Sequence, residues 1–214
     1  MPESCPLCGA ASRPFLDDGR RRYLRCLDCS LSFLSAHAHP APDAARARYL
    51  LHRNDPADAG YRAWLERLLT PLSERLRPGA AGLDFGCGPG PAASSLMRAR
   101  GFAVRDYDPL FEPDAAALDA RYDFIVCTEV LEHLARPDEV LRRLDSLLAP
   151  GGVLGATTGI LEDDSAFRSW WYRQDPTHVA FYRPETVAWI ARRFGWGLDS
   201  PGPGIFLFSK PPAP

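Results

Sequence analysis

Two carboxylates and an imidazole lie close together in the stretch Glu129-Val130-Leu131-Glu132-His133. On a helical turn, side chains at positions i, i+3 and i+4 project on one side, so these three are predicted to converge. They directly follow a predicted strand over residues 123–128, whose four central residues are apolar. Carboxylates and imidazoles placed in this way can bind a divalent cation or move a proton. Alternatively, these side chains only cap the start of a helix and face solvent, with no chemical role.

A glycine-rich turn forms the second candidate site. The stretch Asp84-Phe85-Gly86-Cys87-Gly88-Pro89-Gly90 is typical of a strand end and a tight turn, and Pro91 then suits the first position of a helix. About twenty residues further on, a second predicted strand ends at Tyr107-Asp108. An acid at that place can accept hydrogen bonds from both hydroxyls of a ribose. The two features together predict a cofactor that contains a nucleoside.

The spacing of the glycines separates two cofactor classes. Nicotinamide-binding proteins use G-x-G-x-x-G, whose third glycine would fall at position 91, where this chain has proline. The observed pattern is G-x-G-x-G with Asp84 two residues before the first glycine. A third interpretation, an ordinary turn whose glycines serve packing only, is disfavoured because Asp108 is a separate feature that agrees with nucleoside binding.

Four cysteines near the N-terminus have the spacing of a structural metal site. Two C-x₂-C pairs are separated by seventeen residues and consist of Cys5, Cys8, Cys26 and Cys29. This spacing predicts a tetrahedral Zn²⁺ site on a small ribbon, with unrelated free thiols as the alternative. A segment of about thirty residues cannot build a core alone, so the metal is expected to supply folding energy. The other two cysteines, Cys87 and Cys127, are interpreted as small buried residues.

Within the predicted ribbon, four arginines surround Tyr23, namely Arg20, Arg21, Arg22 and Arg25. A basic stretch with an aromatic residue can bind nucleic acid. The favoured interpretation is a solvated hairpin whose charge is balanced by Asp17, Asp18 and Asp28. The two histidines that follow, His37 and His39, lie in a proline-containing linker and are expected to be solvated.

The composition is that of a globular protein and limits its partners. The chain has 214 residues, a net charge of −2, and 46% hydrophobic and 24% charged residues. The slight negative charge argues against wholesale binding of polyanions and gives no strong support for DNA. No apolar run reaches the length of a membrane span and no apolar signal segment begins the chain. We therefore expect a cytoplasmic protein with no membrane partner, in which cysteines stay reduced.

The predicted elements divide the chain into a zinc ribbon at 1–35, a linker with N-terminal helices at 36–79, and a cofactor-binding domain at 80–210. Helices are predicted over about 43–53 and 57–77, and they are expected to cover the sheet or the mouth of the cofactor site. Strands alternate with helices from residue 80 onward, which predicts an α/β, Rossmann-like, doubly wound and mostly parallel sheet with a C-terminal antiparallel hairpin.

Only fourteen residues, 109–122, separate the second predicted strand from the next one. A right-handed return through another strand and its helices needs a much longer connection. One central strand, the usual third strand of such sheets, is therefore predicted to be missing, with one short helix near 114–119 in its place.

The order of glycine turn, Asp108, Y-D-F-I-V, E-V-L-E-H and P-G-G resembles the class I S-adenosylmethionine (SAM) methyltransferases across residues 80–210. The resemblance implies SAM as cofactor, held by Asp84, Phe85, Gly86, Cys87, Gly88, Gly90, Tyr107, Asp108, Thr128 and Glu129. The acid that contacts adenine after the third strand in that family has no counterpart here, so one wall of the adenine site must come from elsewhere.

The E-x-x-E-H set is similar to that of metal-dependent O-methyltransferases, which act on the 3′-terminal ribose of small RNAs or in the ubiquinone pathway. Those families complete the set with a later histidine, and His178 stands at the corresponding place. The similarity implies a Mg²⁺ site at Glu129, Glu132, His133 and His178, with His178, Glu129 and His133 as catalytic residues. The alternative is that His178 acts as a plain general base, or is a loop histidine whose hydrogen bonds are satisfied and which has no chemical role.

Two functions follow as hypotheses. The first is a SAM-dependent methyltransferase, expected to transfer a methyl group to a hydroxyl of a small molecule, a saccharide or an RNA. The second is a non-catalytic module with the SAM-binding fold, whose ribbon docks RNA or a protein. The retained acids and the E-x-x-E-H set favour the first. Five aromatic residues after the fifth strand are expected to form core, lid or acceptor pocket, namely Trp170, Trp171, Tyr172, Phe181 and Tyr182.

Overall fold

The computed structural model describes residues 3–51 and 55–213 of the chain. At the N-terminal end, the ribbon consists of three antiparallel strands, β1 (Ser12–Asp17), β2 (Arg22–Cys26) and β3 (Ser32–Leu34). The hairpin between β1 and β2 turns at Gly19, whose φ of 83° lies in the left-handed region that glycine adopts without strain. The carboxylate of Asp18 accepts hydrogen bonds from two backbone N–H groups of this turn and thereby closes it.

Two helices connect the ribbon to the main sheet, α1 (Pro42–Tyr49) and α2 (Ala59–Ser73). The helix predicted over 43–53 extends beyond α1, which ends at Tyr49. Residues 52 and 53 of that prediction lie outside the described part of the chain. For α2, the prediction over 57–77 was too long, because Pro71 donates no backbone hydrogen bond and the helix ends soon after it. None of the described helices is long and apolar enough to cross a membrane.

The rest of the chain builds the α/β unit around a six-stranded sheet. Its elements in chain order are β4 (Ala81–Phe85), α3 (Ala92–Ala99), β5 (Ala103–Tyr107), β6 (Tyr122–Thr128), α4 (Pro137–Leu147), β7 (Leu148–Thr157), β8 (Ala180–Phe181), α5 (Pro184–Phe194), β9 (Gly197–Gly202) and β10 (Ile205–Ser209). The sheet has the order β5-β4-β6-β7-β10-β9. Its first four strands are parallel, and β10 pairs antiparallel with both β7 and β9. The predicted Rossmann-like, mostly parallel sheet with a C-terminal hairpin is confirmed.

Helices cover both faces of this sheet, and β6 shows how the sequence produces the layers. Successive side chains of a strand point to opposite faces. Phe124 and Val126 pack with the leucines of α2 and with α3, whereas Ile125 and Cys127 pack with α4 and α5. Because both faces are covered, the strand is apolar and buried over its central residues 124–127.

The third strand of the usual sheet is absent, as predicted, but it is missing from the edge of the sheet and not from its centre. Between β5 and β6 the structure has a 3₁₀ helix, Ala115–Leu118. In the described residues no strand lies beyond β5, which therefore forms one edge of the sheet. The strands β5, β4, β6 and β7 are contiguous, so the sheet has no internal gap. The sequence indicates that a strand is missing but does not contain the pairing order that determines where.

The ribbon is not packed as a separate body. Strand β8 lies far along the chain, yet it pairs antiparallel with β3, giving a second sheet of order β1-β2-β3-β8. Apolar ribbon residues such as Leu7 and Leu31 belong to the same buried cluster as Leu83 of β4 and Ile125 of β6. The ribbon thus shares a hydrophobic core with the main sheet.

Candidate functional site

A cavity of about 740 Å³ opens at the carboxyl ends of the parallel strands. This is where the sheet order reverses, since the chain leaves β4 for β5 on one side and continues to β6 on the other. In open α/β sheets, ligands bind in the crevice at this switch point. The cavity is lined by the glycine turn, the loop after β5, the residues after β6, the end of α1 and residues 171–178.

The glycine turn reaches the cavity through backbone conformations that only glycine adopts without strain. Gly86 has φ of 76° and Gly88 has φ of 65°. A Cβ on Gly86 would lie 2.5 Å from Cγ2 of Val130, so the close approach of the turn to the segment after β6 also requires glycine. Asp108 accepts hydrogen bonds from the N–H groups of Gly88, at 3.1 Å, and of Leu110, at 2.8 Å. Its carboxylate therefore ties the two cofactor loops together.

Most of the predicted cofactor residues line this cavity, namely Phe85, Gly86, Cys87, Gly88, Tyr107, Asp108, Thr128 and Glu129. Asp84 and Gly90 are not among the lining residues. The side chain of Asp84 points behind the turn, where its Oδ2 accepts a hydrogen bond from the Ser94 N–H of α3 at 3.1 Å. Burial raises the pKa of Asp84 to about 7, and its Oδ1 has no hydrogen-bond partner among the described residues.

The E-x-x-E-H stretch forms a tighter turn than the predicted helical turn. Glu129 has φ of 51°, a left-handed conformation that is uncommon outside glycine, and the residues Leu131–His133 form a 3₁₀ helix. This turn brings Glu132 and His133 together with His178. One donor atom from each of these three residues lies within 4.8 Å of the others. Glu129 lines the same cavity but is not part of this group.

Both histidines of this cluster are oriented by backbone carbonyls. The Nδ1 atom of His133 lies 3.1 Å from the carbonyl oxygen of Thr177, and Nδ1 of His178 lies 2.7 Å from that of Tyr172. A carbonyl only accepts, so each Nδ1 carries a proton, and in the neutral form of each ring Nε2 carries the lone pair. Histidines that bind metals show this arrangement. The geometry thus suits a cation at Nε2 of both rings.

Glu132 supplies the carboxylate of the cluster. It is fully buried; its Oε2 accepts a hydrogen bond from Thr158 Oγ1 at 2.9 Å, and its Oε1 has no hydrogen-bond partner among the described residues. That Oε1 lies 4.0 Å from Nε2 of His133. Burial raises the pKa of Glu132 and lowers that of His133. A buried, unsatisfied carboxylate oxygen next to an imidazole lone pair fits a bound cation, which would satisfy both.

Glu129 and Tyr172 border the cluster. The Tyr172 hydroxyl lies 3.2 Å from Glu129 Oε2 and accepts a hydrogen bond from the Gly159 N–H at 2.9 Å. Burial and the neighbouring Glu132 raise the pKa of Glu129 to about 8. A Cβ on Gly159 would lie 2.6 Å from the Tyr172 ring, so a glycine is needed for the ring to reach this position.

The sequence predicts helices that cover the sheet or the mouth of the cofactor site, but it does not indicate which residues of α1 reach the cavity, namely Arg48 and Tyr49. The Tyr49 ring meets the His133 ring edge to face at 5.0 Å, and Arg48 pairs with Asp175 at 2.8 Å. From α2, Tyr61 and Trp64 also line the cavity. Tyr61 and Trp64 stand three positions apart, which places them on one face of α2 and is a signal that the sequence contains. The position of Tyr49 had no local signal, because it depends on how α1 packs over the loops.

A smaller cavity of about 310 Å³ adjoins the first and shares Glu129 and Tyr172 with it. Its walls include Trp64, Trp170 and Trp171, the last of which is 74% exposed. Of the five aromatic residues singled out in this region, Phe181 and Tyr182 are fully buried and belong to the core. The other three lie at or beside the cavities.

The four N-terminal cysteines come together as the spacing predicts. Sγ of Cys5 lies 3.6 Å from Sγ of Cys29, and Sγ of Cys8 lies 3.3 Å from Sγ of Cys26. One sulfur of each cysteine lies within 4.8 Å of the others. Zn–S bonds of 2.3 Å in a tetrahedron place sulfurs about 3.8 Å apart, so the arrangement fits a Cys₄ zinc site.

Two of the four ribbon arginines, Arg21 and Arg25, contact other parts of the protein. Arg25 is buried and its guanidinium pairs with Asp164 at 2.8 Å, while Arg21 Nη1 donates to the Arg173 carbonyl oxygen at 3.1 Å. Asp18, in turn, accepts from Arg173 at 2.6 Å. These contacts fasten the ribbon to residues 164–173 and leave Arg20 and Arg22 exposed.

The site's layout is matched by known proteins. The Methyltransferase domain family matches residues 51–200. The chain belongs to this family. A ubiquinone biosynthesis O-methyltransferase of Escherichia coli O127:H6 is 32% identical over 126 residues, which cover 48% of this chain and 49% of that relative. The chain thus spans about half the length of the curated relatives it matches.

Solved structures with the same fold support this assignment. The Burkholderia thailandensis 1,6-didemethyltoxoflavin-N1-methyltransferase, solved with bound 1,6-didemethyltoxoflavin and S-adenosylhomocysteine, gives a TM-score of 0.56 at 16% identity and covers 94% of this chain and 100% of that chain. A chain from the complex between the Haloferax volcanii Trm112 methyltransferase activator and a methyltransferase gives 0.53 at 12% identity, covering 81% and 100%. At these identities the likeness concerns the fold. The resemblance to class I SAM-dependent methyltransferases is confirmed for family and fold.

Proposed function

We propose that this member of the methyltransferase family transfers a methyl group from SAM to an oxygen atom of its acceptor, assisted by a divalent cation. One observation carries the proposal: Glu132, His133 and His178 converge on the same cavity that the glycine turn and Asp108 line. Cofactor loops and cation ligands thus border one space.

The cofactor end of the cavity suits SAM. The glycine turn lines the cavity at Gly86 and Gly88, whose left-handed backbone other residues adopt only with strain, and Asp108 presents a carboxylate at the second strand end. When bound, SAM supplies a methyl group on a positively charged sulfur. We propose that Gly86, Gly88 and Asp108 hold its ribose and methionine parts, while Asp84 orients the turn from behind. Tyr107 and Phe111 line the side where an adenine wall is required.

The acceptor end suits a cation with mixed ligands. Two imidazole nitrogens and a buried carboxylate favour a first-row transition ion over the Mg²⁺ that the sequence suggested, because Mg²⁺ prefers oxygen ligands. When bound, such an ion lowers the pKa of a coordinated hydroxyl. In this proposal His133 and His178 present Nε2, the carbonyls at their Nδ1 atoms hold the rings in place, and Glu132 completes the set.

In this proposal, Glu129 takes up the proton that leaves the hydroxyl group of the methyl acceptor. Its carboxylate lines both cavities and lies beside, not within, the cation group. The Tyr172 hydroxyl, 3.2 Å from Glu129 Oε2, holds that carboxylate in place. In the transfer a new O–C bond forms as the C–S bond breaks, so most of the rate enhancement comes from positioning the two reactants.

The acceptor we favour is a small molecule. The smaller cavity has room for a compact group and has tryptophan walls that suit a planar or apolar body. The Burkholderia thailandensis methyltransferase of the same fold was solved with a small molecule bound. A hydroxyl of a saccharide or an RNA is the second candidate. The argument for RNA is weaker, because Arg21 and Arg25 of the ribbon contact other parts of the protein.

Four thiolates arranged for zinc require a reducing environment, because oxidation to disulfides would destroy the site. We therefore propose that the ribbon holds Zn²⁺ and that the protein acts in the cytoplasm.

Metal content and methyl transfer together test the proposal. Purified protein is expected to contain two ions per chain by elemental analysis, one at the cysteines and one at Glu132, His133 and His178. Glu132→Gln should lose one ion and keep the other, because only one ligand set is changed. Glu139→Gln, at an exposed position of α4 that pairs with Arg136, is the control and should keep both. Methyl transfer from labelled SAM to a panel of hydroxylated small molecules, sugars and short RNAs should fall at least about 100-fold in Glu132→Gln.

The outcomes separate the two functions. SAM binding by calorimetry without transfer to any acceptor class would favour the non-catalytic module. Full transfer by Glu132→Gln would rule out the cation-assisted mechanism. Activity restored to stripped protein by Mn²⁺ and not by Mg²⁺ would support the transition ion, and the reverse would return the assignment to Mg²⁺.

A further inference from the structure

The cysteine ribbon reaches the catalytic cluster through a short hydrogen-bonded path. The Leu34 N–H of β3 donates to the Val179 carbonyl oxygen at 2.8 Å, and the Val179 N–H donates to the Glu132 carbonyl oxygen at 2.8 Å. Val179 directly follows His178, and β8 begins with Ala180, which pairs with Phe33 of the ribbon. The segment that carries His178 therefore lies between the ribbon and the turn that carries Glu132.

Tyr182 makes a second connection on the same side. Its side chain is fully buried, and its hydroxyl donates to the carbonyl oxygen of Leu131 at 3.0 Å. Leu131 is the first residue of the 3₁₀ turn that carries Glu132 and His133. The ring of Tyr182 belongs to the buried cluster that also contains Cys5, Cys29 and Leu31 of the ribbon.

We propose that Tyr182 is a positioning residue through which the cysteine ribbon sets the orientation of Glu132 and His133 relative to His178. The ribbon then serves as a structural support of the catalytic centre, in addition to any contact it makes with a substrate. The inference rests on the proposed function in one respect only, that the Glu132, His133 and His178 cluster is the centre of the chemistry.

The local backbone explains why this turn needs support. It starts at Glu129, whose left-handed φ of 51° has a cost, and it carries a fully buried carboxylate with one unsatisfied oxygen. Neither feature stabilises the observed conformation by itself. Two carbonyl oxygens of the turn are held from the ribbon side: that of Leu131 accepts from the Tyr182 hydroxyl, and that of Glu132 accepts from the Val179 N–H.

A pair of matched substitutions tests the proposal. Tyr182→Phe removes the hydroxyl and keeps the ring in the core. Tyr122→Phe is the control, because Tyr122 is also buried in this cluster and also donates to a carbonyl oxygen, that of Ala117 at 2.7 Å. Tyr122 stands at the start of β6, at the opposite end from Glu129, so each variant loses one comparable hydrogen bond and only one of them touches the turn.

The first readout is the ¹⁵N spectrum of the imidazoles at constant pH, with resonances assigned through His133→Gln and His178→Gln. Tyr182→Phe is expected to shift the His133 and His178 resonances, whereas Tyr122→Phe should leave both in place. For methyl transfer, Tyr182→Phe should lower kcat about tenfold while KM for SAM changes less than about twofold, since only the acceptor end is misplaced. The melting temperatures of the two variants should fall by similar amounts.

Cys29→Ser, which breaks the ribbon directly, should shift the same two imidazole resonances. If Cys29→Ser fails to fold, the comparison of Tyr182→Phe with Tyr122→Phe still tests the proposal. Unchanged imidazole resonances in Tyr182→Phe, or equal losses of kcat in both tyrosine variants, would overturn the proposal. Shifted resonances in a protein that shows no methyl transfer would contradict the proposed function and leave the positioning role intact.

Discussion

At the scale of single residues, the site concentrates carboxylates in places that disfavour their charge. Asp84 and Glu132 are almost fully buried, and each has an oxygen with no hydrogen-bond partner among the described residues. Burial raises the pKa of Asp84 to about 7 and that of Glu129 to about 8. A protein tolerates such groups where a bound cation or a positively charged cofactor later compensates them.

Asp84 yields a prediction about pH and stability. A carboxyl whose pKa is raised on folding binds more protons in the folded state, so stability falls as pH rises from the unfolded pKa near 4 to the folded pKa near 7. Asp84→Asn removes this titration and keeps an oxygen to accept the Ser94 N–H. Between about pH 5 and about pH 8, the variant's free energy of unfolding should rise relative to wild type by about 2–3 kcal/mol.

Urea denaturation of the cofactor-free protein at several pH values measures this difference. Asp43→Asn, at an exposed position of α1, is the control for losing one surface charge and should change the free energy of unfolding by less than about 0.5 kcal/mol. A difference for Asp84→Asn that does not change with pH would show that the buried carboxyl carries its charge without cost.

The orientation of Asp84 also shows what the sequence leaves open at this scale. Leu83 and Phe85 face the layer of α4 and α5, so period-2 alternation places Asp84 on the face of α2 and α3, away from the cavity. The motif predicts that this residue belongs to the cofactor site. Only the alternation, applied after the layers are known, shows that it supports the turn from behind.

At the scale of elements, the glycine turn and the turn after β6 depend on each other. The close approach of Gly86 to Val130 means that the first strand's loop packs against the residue that precedes the E-x-x-E-H 3₁₀ turn. We therefore expect a disturbance of the glycine turn to reach the 3₁₀ turn as well. The sequence predicts both turns from local patterns. Their contact, and the left-handed Glu129 that replaces a helical turn, depend on packing between strands.

Two alanine substitutions separate backbone strain from this contact. Gly86 and Gly101 both have positive φ, 76° and 88°, but a Cβ at Gly101 meets no atom within 4 Å. Gly101→Ala should therefore lower the free energy of unfolding by about 1 kcal/mol. Gly86→Ala should lower it by about 3 kcal/mol, since Val130 must move as well.

Calorimetry with SAM extends the comparison to function. Gly86→Ala should weaken binding at least about tenfold because the added Cβ displaces the turn or Val130, both of which line the cavity, and Gly101→Ala should leave it unchanged. Equal destabilisation by the two alanines would show that Val130 yields easily and that the two turns are not coupled.

At the scale of the whole molecule, the ribbon and the α/β unit share one core. From the sequence, the cysteine spacing predicts a separate zinc-stabilised module, and the four sulfurs do come together. The pairing of β3 with β8 spans about 150 positions and involves a strand of two residues, so no local pattern could indicate it. The physical consequence is that ribbon residues and sheet residues exclude water from each other.

A shared core predicts a single unfolding transition for the whole chain. Cys29 of the ribbon and Cys127 of β6 are both fully buried and report on the two parts. On heating in the presence of a thiol reagent, mass spectrometry should find both cysteines modified over the same temperature range. A chelator that removes the proposed zinc should lower that range for both together, because loss of a metal from the ribbon would destabilise the core they share. Modification of Cys29 well below the temperature at which Cys127 reacts would instead show that the ribbon unfolds on its own, and the core contacts between ribbon and sheet would then contribute little to stability.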